Sequence, residues 1–249
     1  MARAGGRRVN DPFVSIVIPV LGDATELESL LDALPEPADG REFEIIVVDG
    51  GADPALARLR DRFPHVRWSA SAPGRGRQMN HGAGLARGRW LVFVHADARL
   101  SAGWDGEIAR ADAMPEVVGG SFRFALDTPA WQARCLERGV RCRVRWFDLP
   151  YGDQAIFVRR AVFESVTGYR DWRLMEDVDL VRRLRRVGRL WHSSLPVRVS
   201  ARRWRRDGWA RRSVKNIGLV TLYLAGVAPA RLAHLYYGRD ALRPSSRQT

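Results

Sequence analysis

Short apolar runs recur along the first hundred residues, separated by segments with helical spacing. The runs Val14–Val20, Phe43–Val48 and Trp90–Val94 are rich in β-branched and aromatic side chains, which predicts three buried strands. A shorter strand is predicted at Val66–Ser69. The helices predicted between the strands are Asp23–Leu34, Pro54–Phe63 and Gly76–Arg87. This alternation predicts an α/β domain with a mainly parallel sheet and helices on both faces.

The pattern is less regular beyond residue 115. It predicts strands at Val117–Phe124 and Gln154–Val158, and helices at Thr128–Trp146, Met175–Val187 and Trp204–Ala225. The last of these helices is basic and aromatic at first and apolar later. We therefore predict a disordered basic N-terminus over residues 1–12, one domain over 13–205 and a helical basic tail over 206–249.

Two aspartates stand just beyond predicted strands. Asp49 directly follows Phe43–Val48, and Asp97 follows Trp90–Val94 after two residues. Open α/β sheets bind ligands at the carboxyl ends of their strands. An aspartate in this position can instead cap the next helix, and for either residue alone that explanation is sufficient. The two together indicate a ligand site.

Charge favours anionic partners. The formal net charge is +13, and Lys215 is the only lysine among 41 basic residues. One alternative function is therefore a basic protein that binds nucleic acid or an anionic membrane without catalysis. That alternative leaves the aspartates unexplained, and the sequence carries no nucleic-acid-binding motif, so we predict no nucleic-acid partner. A dinucleotide-dependent oxidoreductase is disfavoured because no GxGxxG follows the first strand.

The location predicted from the sequence is the cytoplasm. The N-terminus has no small-residue cleavage site, and the apolar stretch Ile217–Ala230 is shorter than the about 20 residues of a spanning helix. Cys135 and Cys142 lie too far apart on a helix for a disulfide, and two free thiols suit a reducing compartment.

Eight motifs in order resemble the family 2 glycosyltransferases of GT-A fold, a Rossmann-like α/β architecture. The resemblance covers residues 13 to 237 and is strongest for a short bacterial subgroup labelled as associated with arsenosugar or selenium genes. The motifs are IVIPV (16–20), VVDGG (47–51), GRGRQMNHG (74–82), FVHAD (93–97), GDQAIFVRR (152–160), GY (168–169), MEDVDLVRRLRR (175–186) and SARRW (200–204).

The resemblance implies metal-dependent, inverting transfer of a sugar from a nucleotide sugar, with a UDP-sugar as the family's usual donor. Asp97 takes the metal-ligand position of the family's DxD motif, with Mn²⁺ or Mg²⁺ as the cofactor, and His95 replaces the first aspartate. The resemblance also predicts Asp177 and Glu176 as the catalytic residues, with Asp177 in the general-base position, although acids in a first helical turn also complement the helix dipole.

Other motif positions are predicted to bind donor and acceptor. Asn80 could instead hold its loop, Arg77 could be a solvated surface residue, and Trp204 could be a core aromatic. The donor-binding residues predicted by the resemblance are Pro19, Val20, Asp49, Gly51, Arg75, Arg77, Asn80, His95, Ala96, Arg203 and Trp204. The acceptor-binding residues so predicted are Gly152, Asp153 and Gln154.

Two basic stripes point to an anionic or lipid-linked acceptor, or to peripheral contact with the inner face of an acidic membrane. Arg134, Arg138, Arg141 and Arg145 recur at helical spacing, which is equally typical of a solvated face. The second stripe interleaves Trp204 and Trp209 with arginines just before the apolar segment. Packing of that segment against the domain is the alternative. The arginines of the second stripe are Arg202, Arg203, Arg205, Arg206, Arg211 and Arg212.

Overall fold

The first half of the domain alternates strands and helices as its apolar pattern predicts. The computed structural model describes residues 11–37, 40–51 and 53–238, so most of the predicted disordered N-terminus and the end of the tail lie outside the described residues. The elements of the first half are β1 (Val14–Val20), α1 (Ala24–Asp32), β2 (Phe43–Asp49), α2 (Ala55–Arg62), β3 (Arg67–Ala70), α3 (Arg75–Leu85) and β4 (Trp90–Phe93).

The second half contains shorter strands and more helices. A single 3₁₀ turn at Gly152–Gln154 follows α5. The elements are β5 (Ala98–Leu100), α4 (Trp104–Asp112), β6 (Val117–Leu126), α5 (Trp131–Phe147), β7 (Phe157–Arg159), α6 (Arg160–Ser165), α7 (Glu176–Val187), β8 (Arg189–Val199), α8 (Arg202–Asp207), α9 (Trp209–Leu224) and α10 (Pro229–Tyr237).

The eight described strands form one mixed sheet in the order β3-β2-β1-β4-β7-β6-β8-β5. Strands β1 to β4 pair in parallel, but β7 is antiparallel to both β4 and β6, and β5 is antiparallel to β8. The prediction of a mainly parallel sheet is therefore not exact, because the sheet is mixed. The reason lies in the path of the chain. After the 3₁₀ turn, β7 runs beside β4 in the opposite direction, whereas a strand parallel to β4 would need a crossover connection.

Alternating side chains of the central strands build a core on each face of the sheet. Ile16 and Ile18 of β1 pack in one cluster with Leu27 of α1. Val17 packs in the other with Met79 of α3. Because successive strand residues point to opposite faces, a strand covered on both sides is apolar throughout. Helices on both faces were predicted, and the structure confirms them.

The predicted helix Trp204–Ala225 is two helices. Gly208 interrupts it with φ of 84°, a conformation that favours glycine, and separates α8 from α9. One side of α9 then packs on the domain, where Leu219 and Val220 join Val178 of α7 in a third apolar cluster. Among the helices of the described residues, none combines the length and hydrophobicity that a bilayer-spanning segment needs.

Candidate active site

A polar cavity opens where α7 begins, beyond the carboxyl end of β4. Its charged side chains come from six parts of the chain, namely α3, the segment after β4, the 3₁₀ turn, α7, α8 and α9, and its wall is completed by apolar side chains of α7, β8 and α9. The titratable or basic residues of the lining are Arg75, His95, Tyr151, Asp97, Asp153, Asp177, Arg203, Arg212 and Tyr236. Of the predicted site residues, the cavity thus brings together Arg75, His95, Asp97, Asp153, Asp177, Arg203 and Trp204.

Asp177 is held at the first turn of α7 with its carboxylate toward the cavity. The amide of Gly152 donates a hydrogen bond to Asp177 Oδ2 at 2.7 Å, and the Val178 amide donates to Oδ1 at 2.8 Å. Acidic side chains are common in the first turn of a helix, where they complement the helix dipole. A Cβ at position 152 would lie 3.2 Å from Asp177 Oδ2 and 3.3 Å from His95 Nε2. Glycine therefore lets three parts of the chain approach closely here.

Glu176 lies beneath the cavity rather than in it. Its side chain is fully buried and forms an ion pair with Arg75 at the start of α3. Burial raises the pKa of Glu176, and the charge of Arg75 opposes that increase. Its second oxygen, Oε2, is buried without a hydrogen-bond partner among the described residues. Glu176 thus fixes Arg75 at the cavity wall, a positioning contact that joins α3 to α7.

The FVHAD segment places two side chains at the cavity. Asp97 is buried, and its Oδ2 lies 3.3 Å from a guanidinium nitrogen of Arg203. Burial and, to a smaller extent, the nearby charges of Arg75 and Arg203 together lower the pKa of His95 to about 3. His95 is therefore neutral at pH 7 and can offer a ring nitrogen as an acceptor or metal ligand. Ala96 between them is buried, and its carbonyl accepts a hydrogen bond from Arg99.

The 3₁₀ turn contributes Asp153, which is half-buried and has one buried oxygen without a partner among the described residues. Burial raises the pKa of Asp153 to about 6; Arg143 opposes this shift, while Asp177 and Asp97 increase it. Its Oδ1 has no hydrogen-bond partner among the described residues. Gln154 turns away from the cavity and ties the turn down, because its Nε2 donates to the Phe122 carbonyl at 3.1 Å.

The donor set of the cavity fits Mg²⁺ or Mn²⁺. Carboxylates of Asp97, Asp153 and Asp177 line it, and the free oxygen of Asp153 lacks a partner. No group of three or more histidine, cysteine or acidic side chains within the described residues is close enough to form a complete cage. These hard cations are commonly held by one or two carboxylates plus substrate phosphates and waters, so a full cage is not required.

The residues predicted to contact a nucleobase lie at the ends of β1 and β2 and do not line this cavity. Asp49 Oδ1 accepts a hydrogen bond from the Gly51 amide at 2.8 Å, and Oδ2 accepts one from Asp53 at 3.1 Å. Pro19 and Val20 end β1 beside them. Both carboxylate oxygens of Asp49 are thus used by its own turn.

Two further residues predicted to bind the donor are placed elsewhere. Arg77 is exposed and forms a two-pronged ion pair with Asp171, with both nitrogen–oxygen distances at 2.6 Å. Asn80 exchanges two hydrogen bonds of 2.8 Å with the backbone of Tyr169. The structure therefore brings neither side chain into the cavity, and Asn80 has the loop-holding contacts that its alternative interpretation predicts.

Trp204 forms one side of the cavity and carries an unsatisfied donor. Its ring packs on Phe124 at 6.0 Å and lies 5.2 Å from the guanidinium of Arg212. The Trp204 Nε1 and Arg212 Nε atoms are both buried without acceptors among the described residues. Unpaired buried donors are costly, and a bound ligand is one way in which they become satisfied.

The sequence did not indicate several lining residues. Arg212, Asn216 and Tyr236 reach the cavity only because α9 and α10 fold back over α7. Arg143 supports it from α5, with its guanidinium 3.3 Å from the Tyr151 ring centroid. The basic, aromatic composition after residue 200 was the one available signal, and it did not show which side chains turn inward.

The four arginines of the α5 stripe are exposed and do not line the cavity. Arg134 pairs with Glu137 at 2.8 Å. The predicted dock for an anionic acceptor or lipid headgroup on this face stays a prediction.

Comparisons with known proteins give a consistent picture. The sequence matches the family described as glycosyl transferase family 2 over residues 15–169. A PGL/p-HBAD biosynthesis glycosyltransferase of Mycobacterium bovis is 28% identical over 193 residues, which cover 68% of each chain. An uncharacterized protein of Mycobacterium tuberculosis is 33% identical over 130 residues, covering 49% of this chain and 40% of its own.

A solved structure shows the same fold at low sequence identity. It is the mannosyltransferase PcManGT from Pyrobaculum calidifontis in complex with GDP-Man and Mn²⁺, with a TM-score of 0.62 and 18% identity. The match covers 89% of this chain and 67% of that protein.

Proposed function

We propose that this chain, which belongs to glycosyl transferase family 2 and is a glycosyltransferase, moves a sugar from a nucleotide sugar to an acceptor hydroxyl by direct, inverting displacement. The observation that carries the proposal is the convergence of Asp97, Asp153 and Asp177 on one cavity beside Arg75 and Arg203. The cavity therefore contains carboxylates that can bind a cation or accept a proton, and guanidinium groups that can bind a diphosphate.

Asp177 is the general base in this proposal. An attacking hydroxyl must lose its proton as it bonds to the anomeric carbon, and a carboxylate within hydrogen-bond reach accepts it. The Gly152 amide donates a hydrogen bond to Asp177 Oδ2 and so fixes the carboxylate at the first turn of α7. We assign Glu176 a supporting role, because its carboxylate is buried against Arg75 and does not line the cavity.

Asp97 is the proposed ligand for Mn²⁺ or Mg²⁺, with Asp153 and the neutral ring of His95 as neighbours. A divalent cation there supplies Lewis-acid neutralisation of the departing diphosphate. The guanidinium of Arg203 forms an ion pair with the carboxylate of Asp97. In the proposed complex, that guanidinium would contact the bound diphosphate instead. The Pyrobaculum protein binds Mn²⁺ together with GDP-Man, which supports this cofactor choice.

The donor extends from the cavity toward the ends of β1 and β2 in this proposal. Arg75 and Arg203 contact the diphosphate, Trp204 lies near the sugar, and Pro19, Val20, Asp49 and Gly51 border the nucleobase. We propose a UDP-sugar as the donor. The base would meet Asp49 only if the turn of residues 49–53 rearranges or if the backbone serves as the contact, since both carboxylate oxygens are already engaged.

The acceptor is proposed to be a small molecule or a lipid with a free hydroxyl, contacted by Gly152 and Asp153. The apolar part of the cavity wall, which includes Leu219 and Val220 of α9, suits an acceptor with some hydrophobic surface. The narrower resemblance to the arsenosugar- and selenium-associated subgroup stays a prediction, as does a cytoplasmic location.

A hydrolysis screen across nucleotide sugars tests the proposal. Purified protein is incubated with UDP- and GDP-sugars and with Mn²⁺, Mg²⁺ or a chelator, and release of nucleoside diphosphate is measured. We expect one donor to be cleaved only with metal, and we expect Asp97→Asn to lose that activity. Asp171→Asn is the matched control, because Asp171 is an exposed carboxylate outside the cavity. Undiminished turnover in Asp97→Asn, or equal loss in both variants, would contradict the metal assignment.

A further inference from the structure

Helix α9 has two different faces. Its inner face contributes Arg212, Asn216 and Leu219 to the cavity wall. Its outer face repeats Val214, Ile217 and Leu224 at spacings of three and seven, with Ala210 one turn before Val214 and Thr221 between Ile217 and Leu224. Val214 is 70% exposed, Ile217 64% and Leu224 52%. The outer face is thus an unpartnered apolar stripe on a helix that is already fixed to the domain by its opposite side.

The charge around this stripe has one sign. From Gly208 to Gly238 the sequence contains no aspartate or glutamate, while Arg211, Lys215 and Arg231 are exposed there. The carboxylate that precedes this stretch, Asp207, is occupied by Arg206 and Arg212. An apolar stripe on a stretch of chain whose charged side chains are all cations complements a surface that is apolar inside and anionic outside.

Two other occupants fit less well. A second copy of the chain would bring one cationic stripe against another, which like-charge repulsion opposes. The C-terminal segment 239–249 has Ala241 and Leu242 as its aliphatic side chains and adds three arginines, so its composition does not match the stripe.

We infer that the outer face of α9 binds the surface of an anionic lipid bilayer, with its aliphatic side chains at the headgroup boundary and its flanking cations against lipid phosphates. Apart from Arg211, the binding residues differ from those of the second basic stripe of the sequence. Arg202 and Arg203 pair with carboxylates, and Trp204 is buried. Because a helix with its side chains is about 10 Å across, the catalytic cavity would lie one helix diameter from the bilayer.

Vesicle co-sedimentation of the full chain tests this inference. The probes are vesicles of phosphatidylcholine alone and of phosphatidylcholine with phosphatidylglycerol, at low and at physiological salt. We expect the protein to pellet with the anionic vesicles and to remain in solution with the neutral ones. Val214→Glu should weaken anionic binding by about tenfold or more, since it removes aliphatic burial and adds repulsion.

Val187→Glu is the matched control, because it makes the same substitution at an exposed valine at the end of α7. It should bind vesicles like the unaltered protein, and both variants should keep their thermal unfolding midpoint because both positions are exposed. The inference is overturned if the unaltered protein stays in solution with anionic vesicles at low salt, or if the two variants bind equally. It is also overturned if ultracentrifugation shows a dimer that Val214→Glu dissociates. The proposed reaction is measured without lipid, so these outcomes leave it standing.

Discussion

Two groups of polar residues at the same edge of the sheet differ in how fully they are satisfied. At the ends of β1 and β2, both oxygens of Asp49 accept backbone hydrogen bonds, and Gln78 ties the two strands by donating to Val20 and Val48. Around the cavity beyond β4, buried atoms of Asp153, Trp204 and Arg212 have no partners among the described residues.

This difference separates structural polar groups from groups arranged for a ligand. Folded proteins rarely leave buried polar atoms unpaired, because each costs about 1–3 kcal/mol. The turn at Asp49 is complete without a ligand, whereas the cavity has unpaired polar atoms that a ligand can satisfy. We therefore expect substitutions in the cavity to affect catalysis, and substitutions in the turn to affect folding first.

The largest effect is expected for Asp177→Asn. The amide keeps the shape of the side chain but cannot accept the acceptor's proton, so kcat should fall by about 10²- to 10⁴-fold. The unfolding midpoint should change little. Steady-state kinetics with the donor found by the screen measures this, with Asp171→Asn as the control. A loss of less than threefold would remove Asp177 from the base position.

A second expectation compares two arginines from the predicted site. Arg203→Gln should raise the donor KM by about tenfold or more, because a guanidinium facing the diphosphate supplies a charge-assisted contact. Arg77→Gln should leave that KM unchanged, because Arg77 pairs with Asp171 outside the cavity. Equal increases in KM in the two variants would mean that the donor lies over the start of α3 instead.

Gly152→Ala should have a smaller but specific effect. The added methyl group would crowd Asp177 Oδ2 and His95, so the base must shift by a few tenths of an ångström. We expect kcat to fall by about tenfold with little change in KM, since small misplacements of a reacting group are costly. Gly139→Ala in α5 is the control, because a Cβ there meets nothing within 4 Å. Full activity in Gly152→Ala would show that the position of Asp177 is not limiting.

The smallest expected effect is a change in stability with pH. The pKa of Asp153 is about 6 in the folded protein, whereas the ordinary pKa of an aspartate, which applies to the unfolded chain, is 3.8. Between these values the folded state binds more protons than the unfolded state, so the contribution of Asp153 to stability decreases as pH rises from about 4 to 6. Asp153→Asn should therefore gain thermal stability relative to the unaltered protein across that window. A constant difference from pH 4 to 7 would contradict the raised pKa.

How much of the structure can be predicted from the sequence depends on how far apart the interacting residues lie along the chain. The β1 strand and the helix of Asp177 were predicted within one residue, because their apolar periodicity is local. The short strands β5 and β7 were harder to predict, since three residues carry no period, and both pair antiparallel to their neighbours, which makes the sheet mixed.

The candidate site shows the same limit. Motifs identified Asp97, Asp153 and Asp177, and the structure brings all three to one cavity. They did not decide between the cavity and the surface for Arg77, and they gave no indication that Arg212 turns inward. Those directions depend on Asp171 and on the break at Gly208, which are contacts and backbone geometry of the folded chain.

The central claim is that the cavity holds a divalent cation through Asp97 together with a nucleoside diphosphate. Titration of Mn²⁺ followed by electron paramagnetic resonance, with and without UDP or GDP, tests it most directly. We predict that one of these nucleotides tightens Mn²⁺ binding to the unaltered protein and that Asp97→Asn abolishes this coupling while Asp171→Asn preserves it. Identical nucleotide-dependent Mn²⁺ binding in Asp97→Asn and the unaltered protein would contradict the claim.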